Sequence, residues 1–101
     1  MDFSWDPRKG EANRRKHGVS FEEASELFRS GSVCLEIYDE EHSLDEDRFI
    51  AIGAIRRGVV LVVFTERDDD VVRIISARMA TAAERRLFEE YERGRDGRRD
   101  S

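Results

Sequence analysis

Between Val59 and Ala83 the chain reads VVLVVFTERDDDVVRIISARMATAA, two apolar runs joined by an acidic turn, the second passing almost directly into a capped helix. Runs rich in Val, Ile and Phe bounded by turn residues form strands. A link this short leaves no room for a crossover helix, so the two strands pair antiparallel. Polar residues that core packing does not require stand at the strand ends: Thr65, Glu66 and Arg67 on one, Ser76 and Arg78 on the other. Guanidinium groups at the ends of rigid strands can hold a phosphate through paired donors. The competing reading is surface ion pairing with Asp68 to Asp70 or Glu84. Register separates the two. Side chains alternate with period two, so a turn of even length puts Thr65, Arg67, Ser76 and Arg78 on one side of the sheet. A turn of Asp68, Asp69 and Asp70 alone pairs Arg67 with Val71 and sends Arg78 to the other side, absent a bulge. A clustered site therefore prefers the even turn.

The flanking sequence supplies the remaining elements. Phe3 to Trp5 reads as an opening strand. Asp6-Pro7 starts a helix that runs to about His17 and stops at Gly18. Ser20-Phe21-Glu22-Glu23 is a capping box for a second helix, Phe21 to about Arg29, with Phe21, Ala24, Leu27 and Phe28 as its apolar stripe. Strands follow over 33–38, with Val33, Leu35 and Ile37 inward, and over 48–55, before the hairpin. Thr81 to Glu84 is a further capping box. It opens a helix carrying Leu87, Phe88 and Tyr91 inward and ending at Gly94, with 94–101 expected to be a disordered tail after a domain of residues 1–93. The expected fold is α+β: an antiparallel twisted sheet made of a short N-terminal strand and a four-strand meander, with two N-terminal helices and one C-terminal helix.

A chain of 101 residues makes one domain. No apolar run approaches the roughly 20 residues that span a bilayer, and the lone Cys34 builds no disulfide framework, so a cytoplasmic setting is expected. Net charge is −5, which argues against a uniformly basic nucleic-acid binder, yet the charge is segregated. Five cations and one acid lie between Arg8 and Lys16; ten acids and one cation lie between Glu22 and Asp47.

The strings WDPRKGEANRRKHGVSFEEA, EDRFIAIG, and VFTER followed by RIISARMATAAER, in this order and spacing, resemble the BrnT family of toxins from type II toxin–antitoxin systems, from about Phe3 to Tyr91. The resemblance implies a small RelE-like ribonuclease that cuts RNA without a metal or other cofactor and so blocks translation and growth. It also implies a cognate BrnA-like antitoxin with a ribbon-helix-helix domain, a toxin–antitoxin hetero-oligomer, and DNA bound through the antitoxin. The sequence pI near 5.1 departs from the basic character of ribosome-associated RelE-type toxins, so a locally basic cleft is required.

Metal-free RNA cleavage needs a proton removed from the 2′-hydroxyl, charge neutralised on the phosphorane, and a proton given to the departing 5′-oxygen. Arg67 and Arg78 are the expected phosphate ligands, positions that the resemblance also supports, with Thr65 assisting. His17, at the end of the first helix, and Lys16 are the expected proton movers; the alternative for His17 is a helix C-cap. Lys9, Asn13, Lys16 and His17 share one stripe of that helix, read as an RNA-facing or antitoxin-facing surface. Lys9, Asn13, Lys16, Ser76 and Trp5 are the expected substrate contacts, Trp5 as a stacking platform or else as packing. Glu66 faces away from Thr65 and Arg67 and reads as structural. His42 lies in an acidic loop, which favours a proton-donor role if that loop covers the site; the alternative is a simply exposed residue. The rival to a nuclease is a non-catalytic module that only binds an antitoxin-like partner. A DNA regulator acting alone lacks the basic recognition helix it would need.

Overall fold

In the computed structural model the described residues are 1–31, 33–44, 46–67 and 70–99, with side chains in 95–99 left aside. In chain order the elements are β1 (Asp2–Ser4), α1 (Pro7–His17), α2 (Phe21–Arg29), β2 (Cys34–Tyr38), a 3-10 turn (Glu40–His42), β3 (Phe49–Ile55), β4 (Gly58–Arg67), β5 (Val71–Met79) and α3 (Ala82–Arg99). The sheet order is β1-β5-β4-β3-β2. Strands β2 to β5 form the expected antiparallel meander. β1 instead runs parallel to β5, pairing Asp2 with Val71 and Ser4 with Arg73, because both α1 and α2 intervene before the meander begins.

The caps act as their residue types dictate. Asp6 accepts from the Arg8 backbone N–H at 2.9 Å ahead of Pro7, and Gly18 closes α1 in the left-handed region at φ 72°. Ser20 accepts from the Glu23 N–H at 3.0 Å, though the Glu23 carboxylate turns to Arg57 instead of back to the cap. At α3 both halves of the capping box form: Glu84 accepts from the Thr81 N–H at 2.8 Å, and Thr81 from the Glu84 N–H at 3.2 Å.

Each face of the sheet buries its own cluster. Val60, Val62, Phe64, Ile74 and Ala77 meet Phe21, Ala24 and Leu27 of α2 on one side. Burying a side chain of the size of Phe21 or Leu27 is worth about 1.5–3 kcal/mol. On the other side Ile52 and Leu61 meet Phe88 of α3, with Leu35, Ile50 and Val63 at the margin. α3 covers only part of that second face, over β2 and β3.

Several details differ from the sequence reading. Ile37, expected inward, is 40% exposed, while Cys34 packs against the α2-side core; β2 is an edge strand whose far end outruns both helices. Leu87, also expected inward, is exposed, because a single residue, Phe88, fills the space under α3. The helix does not stop at Gly94 but continues to Arg99, since Gly94 keeps helical dihedrals instead of turning left-handed. Of the expected tail, residues 100–101 lie outside the described residues.

Gly53 of β3 sits directly under α2. A Cβ there would collide with Leu27 Cδ1 and stand 2.9 Å from the Cys34 Cβ. Gly53→Ala is therefore expected to destabilise the fold by about 1–3 kcal/mol through overpacking, seen as a lower urea midpoint at unchanged slope.

Candidate functional site

β1 covers the outer edge of β5 only as far as Arg73, which leaves the backbone from residue 74 onward without a strand neighbour on that side. Asn13 of α1 fills that place. Its Nδ2 donates to the Ala77 carbonyl at 2.7 Å and to the Val19 carbonyl at 2.9 Å, and its Oδ1 accepts from the Ala77 N–H at 3.1 Å. A helix with almost no apolar stripe is thus docked against the sheet edge through one buried amide. Asn13, expected as a substrate contact, thus has its amide committed to holding α1 on the sheet edge.

The second local feature is a β-bulge. Arg67 pairs with Val71, so the turn is the odd, three-residue one; Asp68 and Asp69 themselves lie outside the described residues. Thr65 then pairs with Arg73 and Phe64 with Ile74, but Val63 pairs with Ser76, and Ile75 is the extra residue. The bulge restores the parity that the odd turn removes, so Thr65, Arg67, Ser76 and Arg78 do share one side of the sheet.

Sharing a side does not bring the arginines together. Arg78 stands opposite Leu61 and Arg67 lies six residues further along β4, about 20 Å at the usual strand rise. Arg67 instead pairs with Glu46 at 3.2 Å in an exposed position. Thr65 is buried, with its hydroxyl donating to the Asp47 carbonyl at 2.7 Å, and so pins the 39–48 loop. Trp5 packs edge-on against Phe21 and borders a separate hollow with Gly10, Arg14 and Glu22. The convergence expected of Arg67, Thr65 and Trp5 with the other candidates is not found.

Two adjoining hollows over β5 gather the rest. One, of about 260 Å³, is lined by Lys9, Ala12, Asn13, Lys16 and His17 of α1 together with Ile75 and Ser76. The other, of about 380 Å³, shares Ile75 and Ser76 and continues over Ile50, Leu61 and Val63 to Arg78, Glu84, Asp39, His42 and Arg48. The bulge is the hinge of this trough, because it turns both Ile75 and Ser76 toward it. Beyond His42 and Arg48 lies a third hollow, bordered by Glu41, Leu44 and Glu46.

Arg78 is held end-on by Glu84, Nη1 donating to Oε1 at 2.7 Å and Nη2 to Oε2 at 2.8 Å, while Nη1 also reaches the Met79 carbonyl at 3.3 Å. A guanidinium has five N–H donors. Among the described residues the Nε–H and one Nη2–H have no partner; they are adjacent on the side edge, which is the geometry that grips two phosphate oxygens. The bond to Arg78 is the main reason the Glu84 carboxyl is drawn down to about 2, with the Thr81 N–H adding to it against partial burial.

Arg48 was not singled out by sequence. Its backbone is fixed at both ends, N–H to the Ser43 hydroxyl at 2.9 Å and carbonyl to the Asp39 N–H at 2.9 Å. Its Nε is covered and donates to nothing among the described residues. His42 was noted in sequence only as an exposed or site-covering residue. Its Nδ1 lies 2.9 Å from Asp39 Oδ2, which leaves Nε2 as the outward nitrogen. The Asp39-x-x-His42 spacing was visible in the sequence; nothing there indicated that the loop would fold over β5. Among the described residues no three His, Cys, Asp or Glu side chains gather as a metal site would require.

Comparison with known proteins agrees with this architecture. Residues 5–84 match the family described as the ribonuclease toxin BrnT of type II toxin–antitoxin systems. The crystal structure of the Brucella abortus ribonuclease toxin BrnT is 27% identical, with a TM-score of 0.63 over 80% of this chain and 97% of that one. No curated protein matches the chain.

Glu84 binds protons more weakly folded than unfolded, so the Arg78–Glu84 pair gives its full stabilisation above the ordinary glutamate value of 4.5 and loses it as pH falls toward about 2. Glu84→Gln should therefore be less stable than wild type near neutrality, and the gap should close as urea titrations are repeated at progressively lower pH.

Proposed function

The chain belongs to the BrnT family of ribonuclease toxins of type II toxin–antitoxin systems, and from that premise we propose that its RNA is cut in the trough over β5, by attack of a ribose 2′-hydroxyl on the neighbouring phosphate. Membership makes it an endoribonuclease toxin with an antitoxin partner, which sets aside a purely binding module. The observation that carries the site is the joining of two hollows across Ser76. The α1 cations Lys9 and Lys16, together with His17, thereby lie along one path with Arg78 and Arg48, in a chain whose net charge is −5.

Each residue type has a distinct task there. The free side edge of Arg78 takes two oxygens of the scissile phosphate and holds them more tightly as charge builds in the phosphorane. Arg48, entering from the opposite wall, takes the role that sequence had given to Arg67. Ser76 donates a hydrogen bond at the floor. Lys9 and Lys16 hold neighbouring phosphates as point charges, and His17 donates the proton that the departing 5′-oxygen requires. The reaction leaves a 2′,3′-cyclic phosphate and a 5′-hydroxyl, and these groups accomplish it without a metal.

The antitoxin is proposed to be a BrnA-like ribbon-helix-helix protein that covers this trough and binds DNA on behalf of the complex, in the cytoplasm. Among the described residues no helix is long and apolar enough to cross a membrane.

Arg78→Ala and Arg48→Ala are each expected to slow cleavage of a short RNA by about 10²–10³-fold, the usual loss when one oxyanion ligand is removed, and to relieve growth arrest on expression. Arg67→Ala is expected to cleave within a few-fold of wild type. Lys9→Ala with Lys16→Ala should weaken RNA binding and flatten its salt dependence. Full activity in Arg78→Ala alongside loss in Arg67→Ala would move the site to the hairpin tip.

A further inference from the structure

In-line displacement at phosphorus puts the attacking and departing oxygens on opposite sides of the phosphate. The groups that take and give protons must therefore stand on opposite walls of the trough. His17 lies on the α1 wall, and the wall across β5 holds a second histidine, His42, bordering the hollow that contains Arg78 and Arg48.

The geometry points to His42 as the general base of the reaction, with Asp39 as its positioning residue; this rests on the trough being the cleavage site. Asp39 lies 2.9 and 3.1 Å from Nδ1 through its two oxygens; an acceptor-only carboxylate there selects the tautomer with its proton on Nδ1 and its lone pair on Nε2. The carboxylate also stabilises the imidazolium once the proton arrives. Asp39 is itself well anchored: its side chain is 14% exposed, its N–H donates to the Arg48 carbonyl, and its carbonyl accepts from the Ser43 hydroxyl at 2.5 Å. The His42 ring is 63% exposed, open to an incoming ribose. In the step, Nε2 takes the 2′-hydroxyl proton as the O2′–P bond forms. The P–O5′ bond breaks, and the 5′-oxygen receives a proton from His17. Charge and atoms balance, and no further reactant is needed.

The test uses purified toxin under single-turnover conditions with a short RNA carrying one cleavage site. The bridging 5′ atom of the scissile bond is either oxygen or sulfur; a thiolate departs without being protonated. His42→Ala is expected to slow both RNAs equally, by about 10²–10⁴-fold, with little change in KM, and to recover at least about tenfold on adding imidazole. His17→Ala is expected to slow only the oxygen RNA. His42→Asn keeps a donor toward Asp39, and so the closed loop, and should be as slow as His42→Ala. A wild-type rate for either His42 variant, with Arg78→Ala still crippled, would overturn the assignment while leaving the site. Recovery of His42→Ala on the sulfur RNA would also overturn it, by making His42 the acid. Wild-type rates for both His42→Ala and Arg78→Ala would overturn the site itself.

Discussion

One side-chain amide holds the arrangement together. Asn13 takes the place of a missing strand beside β5, pairing with both polar groups of Ala77 and with the Val19 carbonyl. Without it, two backbone groups at a sheet edge would be buried with no partner, which protein interiors rarely tolerate. With it, a helix that is almost entirely polar can lie against an apolar sheet. The cations of α1 are placed beside β5 for that reason, and no apolar stripe competes with them for the face that looks into the trough.

The trough itself results from two economies of space. α3 packs over β2 and β3 but leaves most of the β5 half of its face open, and among the described residues Phe88 is its one side chain in the buried core beneath. The bulge at Ile75 then turns consecutive side chains toward the bare region. Bulges recur near active sites because they re-aim a side chain without moving the strand. Here the same irregularity keeps Arg78 on the trough side despite a turn of odd length.

Local signals were legible in the sequence, and those that depend on distant neighbours were not. Asp6-Pro7, Gly18, the Ser20 cap and the Thr81–Glu84 box each act within four residues and appear in the fold, although at Ser20 only the serine half of the expected capping box forms, because Glu23 is drawn to Arg57. The meander followed from link lengths. The basic stripe of α1 was visible as a stripe, and Arg78, Ser76, Lys16 and His17 do border a common path. Arg67 lies away from that path because alternation reports the side of a sheet but not the distance along it. Thr65 and Trp5 lie apart from it too, because a polar or aromatic residue beside a strand gives no sign of what will fold over it. Arg48 was missed, and His42 left undecided between exposed and site-covering, for the converse reason. They belong to an acidic connection that reads as solvated loop until the Thr65 hydroxyl ties its Asp47 carbonyl to the sheet.

Glu84 is committed twice, closing the first turn of α3 at Thr81 and gripping Arg78 from behind. Helix and guanidinium thus share one latch. Unwinding the start of α3 would leave the arginine swinging loose in the same instant, and an arginine seated firmly on RNA would in turn brace the helix, so the two ends of that carboxylate report on each other.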